Sequence, residues 1–463
     1  MSVSEISGAR LREPGSAPVT FFLQLGRPMS HSDRVHHERI PFDALSSFRY
    51  ILRHQGVVSD FLERYQRLST EMAAEKLTGL RKFAPDLLRL ISDERSLHTA
   101  WEHLKANGSH APGPDNSRYE DFTQSWVWGT MRCYRDLIRT GNFSLGDEQV
   151  VRIPKGLGRG FRELIVQSIF DRVVQRAIVQ ILQPLLDPLF DPLSFGFRPK
   201  KGPLRALATA EHISKSKMSV WVSVDIKNAF SSVPIGRLHG VLRKYFPDDD
   251  LLQFLEIVTK PDKLPGLRQG SPLSPLLLNL YLHHLLDRKW RTRHPTVPLL
   301  RFADDILLLC RTVKQAHKAY DELKKLVQAA GFQLKESQEL AIRRMNRGES
   351  LEWMGFGIHR ADSRLVYSVT EAAWTGLGEK LEAAHEKPFS PLVAYATLKG
   401  WISDKAPCFP GLNMKWACAR IAQLAESQGF EEIPEPVEIA TYWQRAYARW
   451  CKLRYTVVEE FTD

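Results

Sequence analysis

The sequence predicts an α+β protein whose central unit is a split βαβ sheet. Two apolar runs flank the adjacent carboxylates Asp304 and Asp305, which predicts a β-hairpin with its charges at the turn. A second predicted strand, 220–225, also ends on a carboxylate, Asp225. After the hairpin, apolar residues recur at helical spacing over 316–330, and a short strand is expected to follow. Strand, hairpin, helix and strand in this order outline the predicted sheet.

The remaining elements follow from periodicity and from helix-boundary residues. From Ile165 to Ile181 an apolar residue recurs at every fourth position, which predicts a long amphipathic helix. A later helix is expected to begin at Ser271, because a serine followed by a proline suits a helix start. In chain order, we expect disorder over residues 1 to about 20, helices within 40–98, a basic hairpin over 150–162, a helix from Ile165 to Ile181 that ends at Pro184, a helix from Ser271 to about Asp287, a strand at 332–334 or 339–342, a hairpin over 351–358, and helices from about 370 onward.

The composition favours a polyanionic partner and a reducing environment. Lys and Arg total 64 against 53 Asp and Glu, and the resulting formal charge of +11 favours nucleic acid. The five cysteines are scattered and include no Cys-x-x-Cys pair, so a disulfide framework or a zinc module is not expected. The sequence contains no recognisable secretory signal and no apolar run of about 20 residues. We therefore expect a cytoplasmic protein that does not interact with a membrane.

The acidic residues carry the main chemical prediction. Side chains alternate between the two faces of a strand, so Asp225 shares a face with Trp221 and Ser223. If this strand neighbours the hairpin, Asp225 meets Asp304 and Asp305. Three converging carboxylates can hold two Mg²⁺ ions, the arrangement that drives in-line phosphoryl transfer in polymerases. The alternative interpretation is an ordinary acidic turn.

Nine short segments, in this order, resemble the motifs of a reverse transcriptase. The resemblance is to the bacterial group that includes group II intron proteins and stand-alone, defence-associated enzymes, and it is best over about residues 99–360. The matching segments are Ala100-Trp101 through Asn107-Gly108 to Pro112-Gly113-Pro114-Asp115; the finger motifs Ile153-Pro154-Lys155, Arg162, Asp171-Arg172-Val173-Val174-Gln175 and Ser194-Phe195-Gly196-Phe197-Arg198-Pro199; Asp225-Ile226-Lys227-Asn228-Ala229-Phe230 (motif A); Gln269-Gly270-Ser271-Pro272-Leu273-Ser274-Pro275 (motif B); Phe302-Ala303-Asp304-Asp305 (motif C); and the primer-grip motif Leu351-Glu352-Trp353-Met354-Gly355-Phe356.

The resemblance implies a right-hand polymerase with four parts. These are an N-terminal extension over 1–98, partly disordered and then helical; fingers over 99–218; a palm with interleaved finger elements over 219–362; and a helical thumb or RNA-binding region over 363–463. The implied reaction is RNA-directed DNA synthesis, in which dNTPs are added to the 3′-hydroxyl of a DNA or RNA primer on an RNA template. The implied cofactor is a pair of Mg²⁺ ions, for which Mn²⁺ can substitute.

The resemblance also assigns the metal ligands. It implies that Asp225, Asp304 and the carbonyl of Ile226 bind the ions, while Asp305 has a supporting role. Because these ions would lower the pKa of the primer hydroxyl and hold the triphosphate, the three carboxylates are the expected catalytic residues.

Four residues are expected to contact the incoming nucleotide. Lys155 and Arg162 would bind the triphosphate from the fingers, or they belong to a solvated basic loop. Phe230 is expected to lie under the sugar and to exclude a 2′-hydroxyl, although a core phenylalanine is the plainer interpretation. Gln269 would lie near the nucleotide and template, or it solvates a turn.

A further set is expected to contact the template or the primer. Basic residues interleaved with Phe195 and Phe197 suggest a single-strand groove, although both rings also suit the core. A glycine lets the backbone approach nucleic acid closely. The expected contacts are Arg198, Lys200, Lys201, Gly270, Gly355 and Phe356.

One position departs from the family pattern. The family usually has a lysine, able to protonate pyrophosphate, where this sequence has Gln338. Glutamine cannot act as a general acid, so either Lys335 substitutes or the step relies on metal and water.

No endonuclease pattern follows the thumb, which favours a stand-alone enzyme that copies a structured noncoding RNA in antiphage defence. An intron maturase or retroelement protein, an RNA-binding scaffold, and a template-independent or protein-primed polymerase are the alternatives. The sequence does not define the oligomeric state.

Overall fold

The computed structural model describes residues 73–107, 111–154, 160–260, 262–362, 364–387, 389–431 and 433–462. The disorder expected before residue 20 and the helices expected over 40–72 lie outside this range. The helices are α1 Ala73–Ser92, α2 Glu94–Asn107, α3 Gln124–Arg139, α4 Ile169–Leu186, α5 Pro203–Ser214, α6 Ile235–Tyr245, α7 Asp249–Thr259, α8 Ser274–Leu282, α9 Arg288–Arg293, α10 Val313–Ala329, α11 Gln338–Ala341, α12 Glu371–Glu382, α13 Ser390–Asp404, α14 Met414–Ser427 and α15 Pro436–Thr462. The strands are β1 Glu148–Pro154, β2 Phe161–Gln167, β3 Val220–Asp225, β4 Leu299–Phe302, β5 Asp305–Cys310, β6 Ile342–Arg344, β7 Leu351–Trp353, β8 Phe356–Ala361 and β9 Arg364–Val369.

The central sheet has the strand order β4-β5-β3-β6, and all its pairings are antiparallel. β4 and β5 form the acidic hairpin, and α10 connects β5 to the edge strand β6 by way of α11. The predicted split βαβ unit is therefore confirmed. The short strand was expected at 332–334 or 339–342. The observed strand β6 begins at Ile342, at the end of the second range, whereas in the first range Leu334 forms an isolated bridge with Ile226.

Each face of this sheet is buried against a different core. Val220, Val222 and Val224 pack in the core that contains α10, as their alternation predicts. Trp221 and Leu307 on the other face join a second core with Trp450 of α15. Asp225 and Asp305, which lie at one end of the sheet, are half-buried.

The predicted start and end of the long amphipathic helix were wrong. Ile165 belongs to strand β2, and α4 begins after Ser168, whose side chain accepts a hydrogen bond from the backbone N–H of Asp171. Pro184 does not end the helix, which continues to Leu186. Ile165 is buried in the strand as well, so apolar spacing alone could not distinguish the last strand residues from a first helical turn.

The C-terminal part consists of a three-stranded sheet, β7-β8-β9, followed by four helices. The four helices pack around Trp374, Trp401 and Trp443. The ring centroid of Trp401 lies 4.6 Å from that of Trp374 and 5.8 Å from that of Trp443. The aromatic side of α15, with Trp443 and Trp450, therefore belongs to the core. Within the described residues, no helix is both long and apolar enough to cross a membrane.

The far end of α15 is attached to α5 through Glu211, which is 8% exposed. Its carboxylate accepts a hydrogen bond from the Tyr367 hydroxyl (2.8 Å) and another from the guanidinium of Arg454. A single buried carboxylate thus links the C-terminal helix, the β7-β8-β9 sheet and a helix that packs on the central sheet.

Replacement of this carboxylate should destabilise the protein. We expect Glu211→Ala to lower the free energy of unfolding by about 1–3 kcal/mol, because the Tyr367 hydroxyl and the Arg454 guanidinium lose their acceptor. The control is Arg243→Ala, which removes an exposed ion pair with Asp249 (62% and 89% exposed) and should cost less than about 0.5 kcal/mol. Urea denaturation followed by circular dichroism measures both, and equal losses in the two variants would contradict the role of Glu211.

Candidate active site

The sheet register brings the three carboxylates together. Asp225, the last residue of β3, pairs directly with Asp305, the first residue of β5. Asp304 precedes it in the β4-β5 turn, where its carbonyl accepts a hydrogen bond from the backbone N–H of Ile226 (3.1 Å). Asp225 and Asp305 line one cleft of about 360 Å³ together with Leu351 of β7. The expected convergence is therefore present in the fold.

The environment of Asp304 and Asp305 disfavours the negative charge of their carboxylates. Burial and then the nearby Asp225 raise the pKa of Asp304, and burial together with Asp225 and Asp304 raises the pKa of Asp305 to about 7. The Oδ1 atom of Asp225 is buried and has no hydrogen-bond partner within the described part of the chain. A site of this kind is stabilised by an additional cation.

One protein cation already lies at the site. The Lys335 ammonium donates to Oδ2 of Asp225, and Glu336 accepts a hydrogen bond from the Asp225 backbone N–H (2.7 Å). Although burial lowers the pKa of Lys335, its contacts with Asp225 outweigh that effect and raise it. Gln338, at the position of the usual family lysine, instead donates to the His317 carbonyl (3.2 Å) and to Asp321 (3.1 Å). Lys335, not Gln338, is thus the polar side chain of this loop that reaches the carboxylates.

The donor set suits a hard divalent ion. Carboxylate and carbonyl oxygens are the ligands that Mg²⁺ prefers, and Mg²⁺ keeps several waters and takes other ligands from phosphates. Within the described residues, no three acidic, histidine or cysteine side chains form a ready-made metal cage. The orphaned Oδ1 of Asp225 and the ammonium beside Oδ2 fit a site that is completed by substrate oxygens.

The acidic turn is anchored by a buried arginine that the sequence prediction missed. Arg301 is fully buried, and its guanidinium donates to both carboxylate oxygens of Asp287 (2.9 and 2.6 Å). It also donates to Oδ1 of Asn279 and to the carbonyl of Ala303, both at 2.9 Å. Asp287 ends a π-helical turn, His283–Asp287, a feature that often marks functional sites. An arginine inside an otherwise apolar strand was the available signal in the sequence.

The loop around Gly196 packs directly against this turn. The backbone N–H of Phe195 donates to the Arg301 carbonyl (2.8 Å), and the Asn279 amide donates to the Gly196 carbonyl (2.7 Å). A Cβ at Gly196 would overlap the backbone nitrogen of Ala303. Ala303 itself has a φ of +58°, so the turn that carries Asp304 is strained and tightly enclosed.

Three of the four expected nucleotide contacts lie in the described residues; Lys155 lies outside them. Arg162 is exposed on β2, across from Ile153. The carbonyl of Gln269 accepts a hydrogen bond from the backbone N–H of Ile165 (2.8 Å), so the loop around Gln269 lies along β2. Gly270, at a φ of +107°, would place a Cβ 3.0 Å from the Ile165 carbonyl.

Phe230 is only partly buried, and its ring meets the exposed ring of Phe197. Phe230 thus packs against the core, as the plainer interpretation predicts, while part of its side chain is exposed.

The structure does not bring Arg198 to a template surface. Its side chain is 5% exposed, and its guanidinium donates five hydrogen bonds, to the carboxylate and carbonyl of Asp187 and to the carbonyls of Asp191 and Ser194. All its donating nitrogens serve its own loop, so it supports the loop instead of contacting a template. Lys200 is exposed, whereas the Lys201 ammonium donates to the Pro192 carbonyl (3.2 Å) and lies over the Phe195 ring.

The structure also places Phe356 where a primer cannot touch it. Phe356 is 1% exposed, and the Lys405 ammonium lies 4.2 Å from its ring centroid. The same ammonium donates a hydrogen bond to the carbonyl of Gly355 (3.2 Å). Gly355 lies in the β7-β8 turn and has a φ of +75°. Phe356 therefore supports the β7-β8 turn from below, and only the turn itself can approach a primer.

A split βαβ sheet with carboxylates on its two central strands defines the palm of a polymerase. Residues 153–358 match the family described as "Reverse transcriptase (RNA-dependent DNA polymerase)". This part of the chain therefore resembles a reverse transcriptase domain, and the relatives of the chain include proteins named as intron proteins.

Relatives include the putative COX1/OXI3 intron 2 protein of Saccharomyces cerevisiae, which is 27% identical over 45% of this chain and 26% of its own length. The group II intron-encoded protein LtrA of Lactococcus lactis subsp. cremoris is 26% identical over 48% of this chain and 37% of its own. Protein YkfC of Escherichia coli is 24% identical over 56% of this chain and 78% of its own length. This chain thus spans well under half of the two intron proteins.

Among solved structures, a chain of the "Partial Cas6-RT-Cas1--Cas2 complex" aligns with 53% of this chain and 42% of its own length, at 21% identity and a TM-score of 0.33. A score at this level supports no inference about activity or assembly.

A side chain at position 196 should disturb the acidic turn. We expect Gly196→Ala to lower the rate of primer extension at least about tenfold, because the turn that carries Asp304 must move and small misplacements of reacting groups are costly. Gly202→Ala is the matched control, since a Cβ there meets nothing within 4 Å. Primer extension and thermal unfolding of both variants provide the measurement; full activity of Gly196→Ala would show that the close approach is dispensable.

Proposed function

We propose that this protein is an RNA-directed DNA polymerase that adds dNTPs to a primer 3′-hydroxyl by a two-metal mechanism. The observation that carries the proposal is the pairing of Asp225 with Asp305 beside the turn residue Asp304. The reverse transcriptase match over residues 153–358 supports the same reaction.

The proposed magnesium ligands are Asp225, Asp304 and the carbonyl of Ile226, with Asp305 nearby. Bound Mg²⁺, or Mn²⁺ in its place, would acidify the primer hydroxyl and neutralise the charge of the triphosphate. The protein's own contribution is rigid placement: β3 and β5 fix two carboxylates across the sheet, and the Arg301 network fixes the third. Rigid placement of charged groups supplies much of the catalysis in phosphoryl transfer.

The proposed nucleotide contacts come from three elements around the cleft. Arg162 is exposed on β2, with a guanidinium suited to phosphate oxygens, and Lys155 is proposed to act beside it. Phe230 lies five positions beyond Asp225 and presents a partly exposed ring to a sugar. Gln269 and Gly270 lie along β2, which supports a contact between this loop and the nucleotide or template.

The proposed macromolecular partners are an RNA template and a DNA or RNA primer. The net charge of +11 supports a polyanionic partner, and the exposed Lys200 and the turn at Gly355 are the remaining proposed contacts. We propose further that the template is a dedicated structured RNA. The suggestion that its DNA copy serves antiphage defence rests on the resemblance to stand-alone bacterial enzymes alone; a role in intron splicing is the alternative.

Loss of the turn carboxylates tests the proposed reaction. We expect the double variant Asp304→Asn/Asp305→Asn to lose DNA synthesis by at least about a thousandfold, because the metal ligands lose their charge, while RNA binding is retained. The exposed Asp249→Asn provides a control with an intact site. Incorporation of labelled dNTPs with Mg²⁺, followed by sequencing of the bound RNA and the product DNA, measures activity and identifies the template. Equal DNA yield from the double variant would show that the turn is only structural.

Removal of Lys335 tests whether the site is one for divalent ions. Because the ammonium and a metal would compete for Oδ2 of Asp225, Lys335→Ala should lower the half-saturating Mg²⁺ concentration about threefold to tenfold. The readout is the melting temperature as a function of Mg²⁺ concentration, without substrate, and the matched control is Lys325→Ala, whose ammonium pairs with Glu322. An unchanged Mg²⁺ dependence in Lys335→Ala would indicate that Asp225 binds no ion there.

A further inference from the structure

Phe197 combines two unfavourable features. Its side chain is 47% exposed, and its backbone has a φ of +56°. Positive φ is rare for bulky residues because Cβ crowds the neighbouring carbonyl oxygen. A strained residue persists only where the surrounding structure imposes the conformation, and such residues cluster at functional sites.

The backbone on both sides of Phe197 is held by buried groups. The Gly196 carbonyl accepts a hydrogen bond from Asn279 (2.7 Å), and Arg198 is fixed by its five hydrogen bonds. The Phe197 carbonyl accepts one more from the amide of Gln183 (3.2 Å). These contacts direct an apolar ring into the open beside the acidic turn, at a conformational cost that its own burial does not offset.

The ring of Phe197 contacts the ring of Phe230. Their centroids lie 6.2 Å apart at an interplanar angle of 69°, an edge-to-face arrangement that aromatic pairs favour. The backbone of Phe230 is fixed as well, because its carbonyl accepts a hydrogen bond from the N–H of Leu267 (2.8 Å) and a Cβ at Gly266 would press against the same carbonyl. Phe197 thus packs against the Phe230 ring, while hydrogen bonding fixes the backbone of Phe230.

We propose that Phe197 is a positioning residue for sugar selection. It holds the Phe230 ring in place so that the ring does not yield to a 2′-hydroxyl on the incoming nucleotide. The inference rests on the proposed polymerase function and deepens it. An apolar pocket rejects one added hydroxyl only weakly, so a pocket wall that can move would discriminate even less.

The test compares the selectivity for dATP over ATP, as the ratio of kcat/KM values for single-nucleotide addition to a primer on an RNA template. Phe197→Gly should lower this ratio about threefold to tenfold, the size of effect expected from one aromatic pair, mainly through a lower KM for ATP. The kcat for dATP should change less than about threefold. Glycine adopts positive φ readily, so this variant should fold at least as well as the original protein, which thermal unfolding verifies. Phe197→Tyr keeps the ring and should keep the selectivity.

Two further variants separate positioning from a general structural effect. Once Phe230→Ala has removed the braced ring, adding Phe197→Gly should change the ratio no further. Phe389→Gly is the matched control, because Phe389 is also exposed (77%) and also has positive φ (+58°), but it lies at the start of α13. Phe389→Gly should retain the original ratio.

A folded Phe197→Gly variant with the original ratio would overturn the inference, as would an equal loss of activity with both nucleotides. An additive effect on top of Phe230→Ala would also overturn it, because Phe197 would then act independently of that ring. These outcomes leave the proposed function intact. DNA synthesis that survives Asp304→Asn/Asp305→Asn would instead overturn the proposed function.

Discussion

The buried ion pair between Arg301 and Asp287 is the interaction on which the candidate active site depends. Arg301 is fully buried and Asp287 nearly so, and burial of two charges costs much of what their attraction returns. The pair is therefore better understood as a device for geometry than as a source of stability. Through Asn279 and the Ala303 carbonyl, the same guanidinium fixes the Gly196 loop and the turn that carries Asp304. A lysine could not replace it, because a single ammonium lacks the planar fork that reaches these acceptors together.

A second buried network joins β1 and β2 to the loop that precedes α8. Arg268 pairs with Glu148, and both side chains are less than 5% exposed. Glu148 accepts from Gln167 (3.1 Å), Gln167 accepts from Gln175 (2.9 Å), and Gln175 accepts from Ser271. The chain of donors runs from the hairpin that carries Arg162 to the loop that carries Gln269 and Gly270. The proposed phosphate-binding and template-binding elements are thus rigidly connected at their bases, while the exposed end of β2 remains open to solvent.

The sequence was sufficient for features that depend on local order and insufficient for those that depend on distant partners. Alternation in 220–225 and the Asp-Asp turn correctly predicted which carboxylates meet, because strand faces follow from residue parity. The roles of Arg198 and Phe356 were misjudged because basic or aromatic residues in a motif suggest a surface. The guanidinium of Arg198 is instead bound by acceptors in residues 187–194, and the ring of Phe356 is covered by Lys405, which is distant in sequence. Periodicity also could not separate the last residues of β2 from α4, since both are apolar and buried. The sequence left open whether Lys335 substitutes for the lysine that Gln338 replaces, and only the fold shows that the Lys335 ammonium donates to Asp225.

Backbone strain and buried cations occur together around this site. Of the nine non-glycine residues with positive φ in the described part of the chain, five lie in segments that meet there: Phe197, Lys200, Asn228, Ala303 and Met354. Three of the strained turns have a buried cation that donates to their carbonyls, namely Arg198 in the 194–198 loop, Arg301 at Ala303 and Lys405 at Gly355. Burial even lowers the pKa of Lys405, so its contact with the turn is made at an electrostatic cost. Non-glycine residues disfavour a positive φ, and the hydrogen bonds from the three cations hold the turns in this conformation. The strain is thus concentrated in the segments whose positions the proposed chemistry requires, since carboxylates and an incoming nucleotide must be held to within a fraction of an ångström.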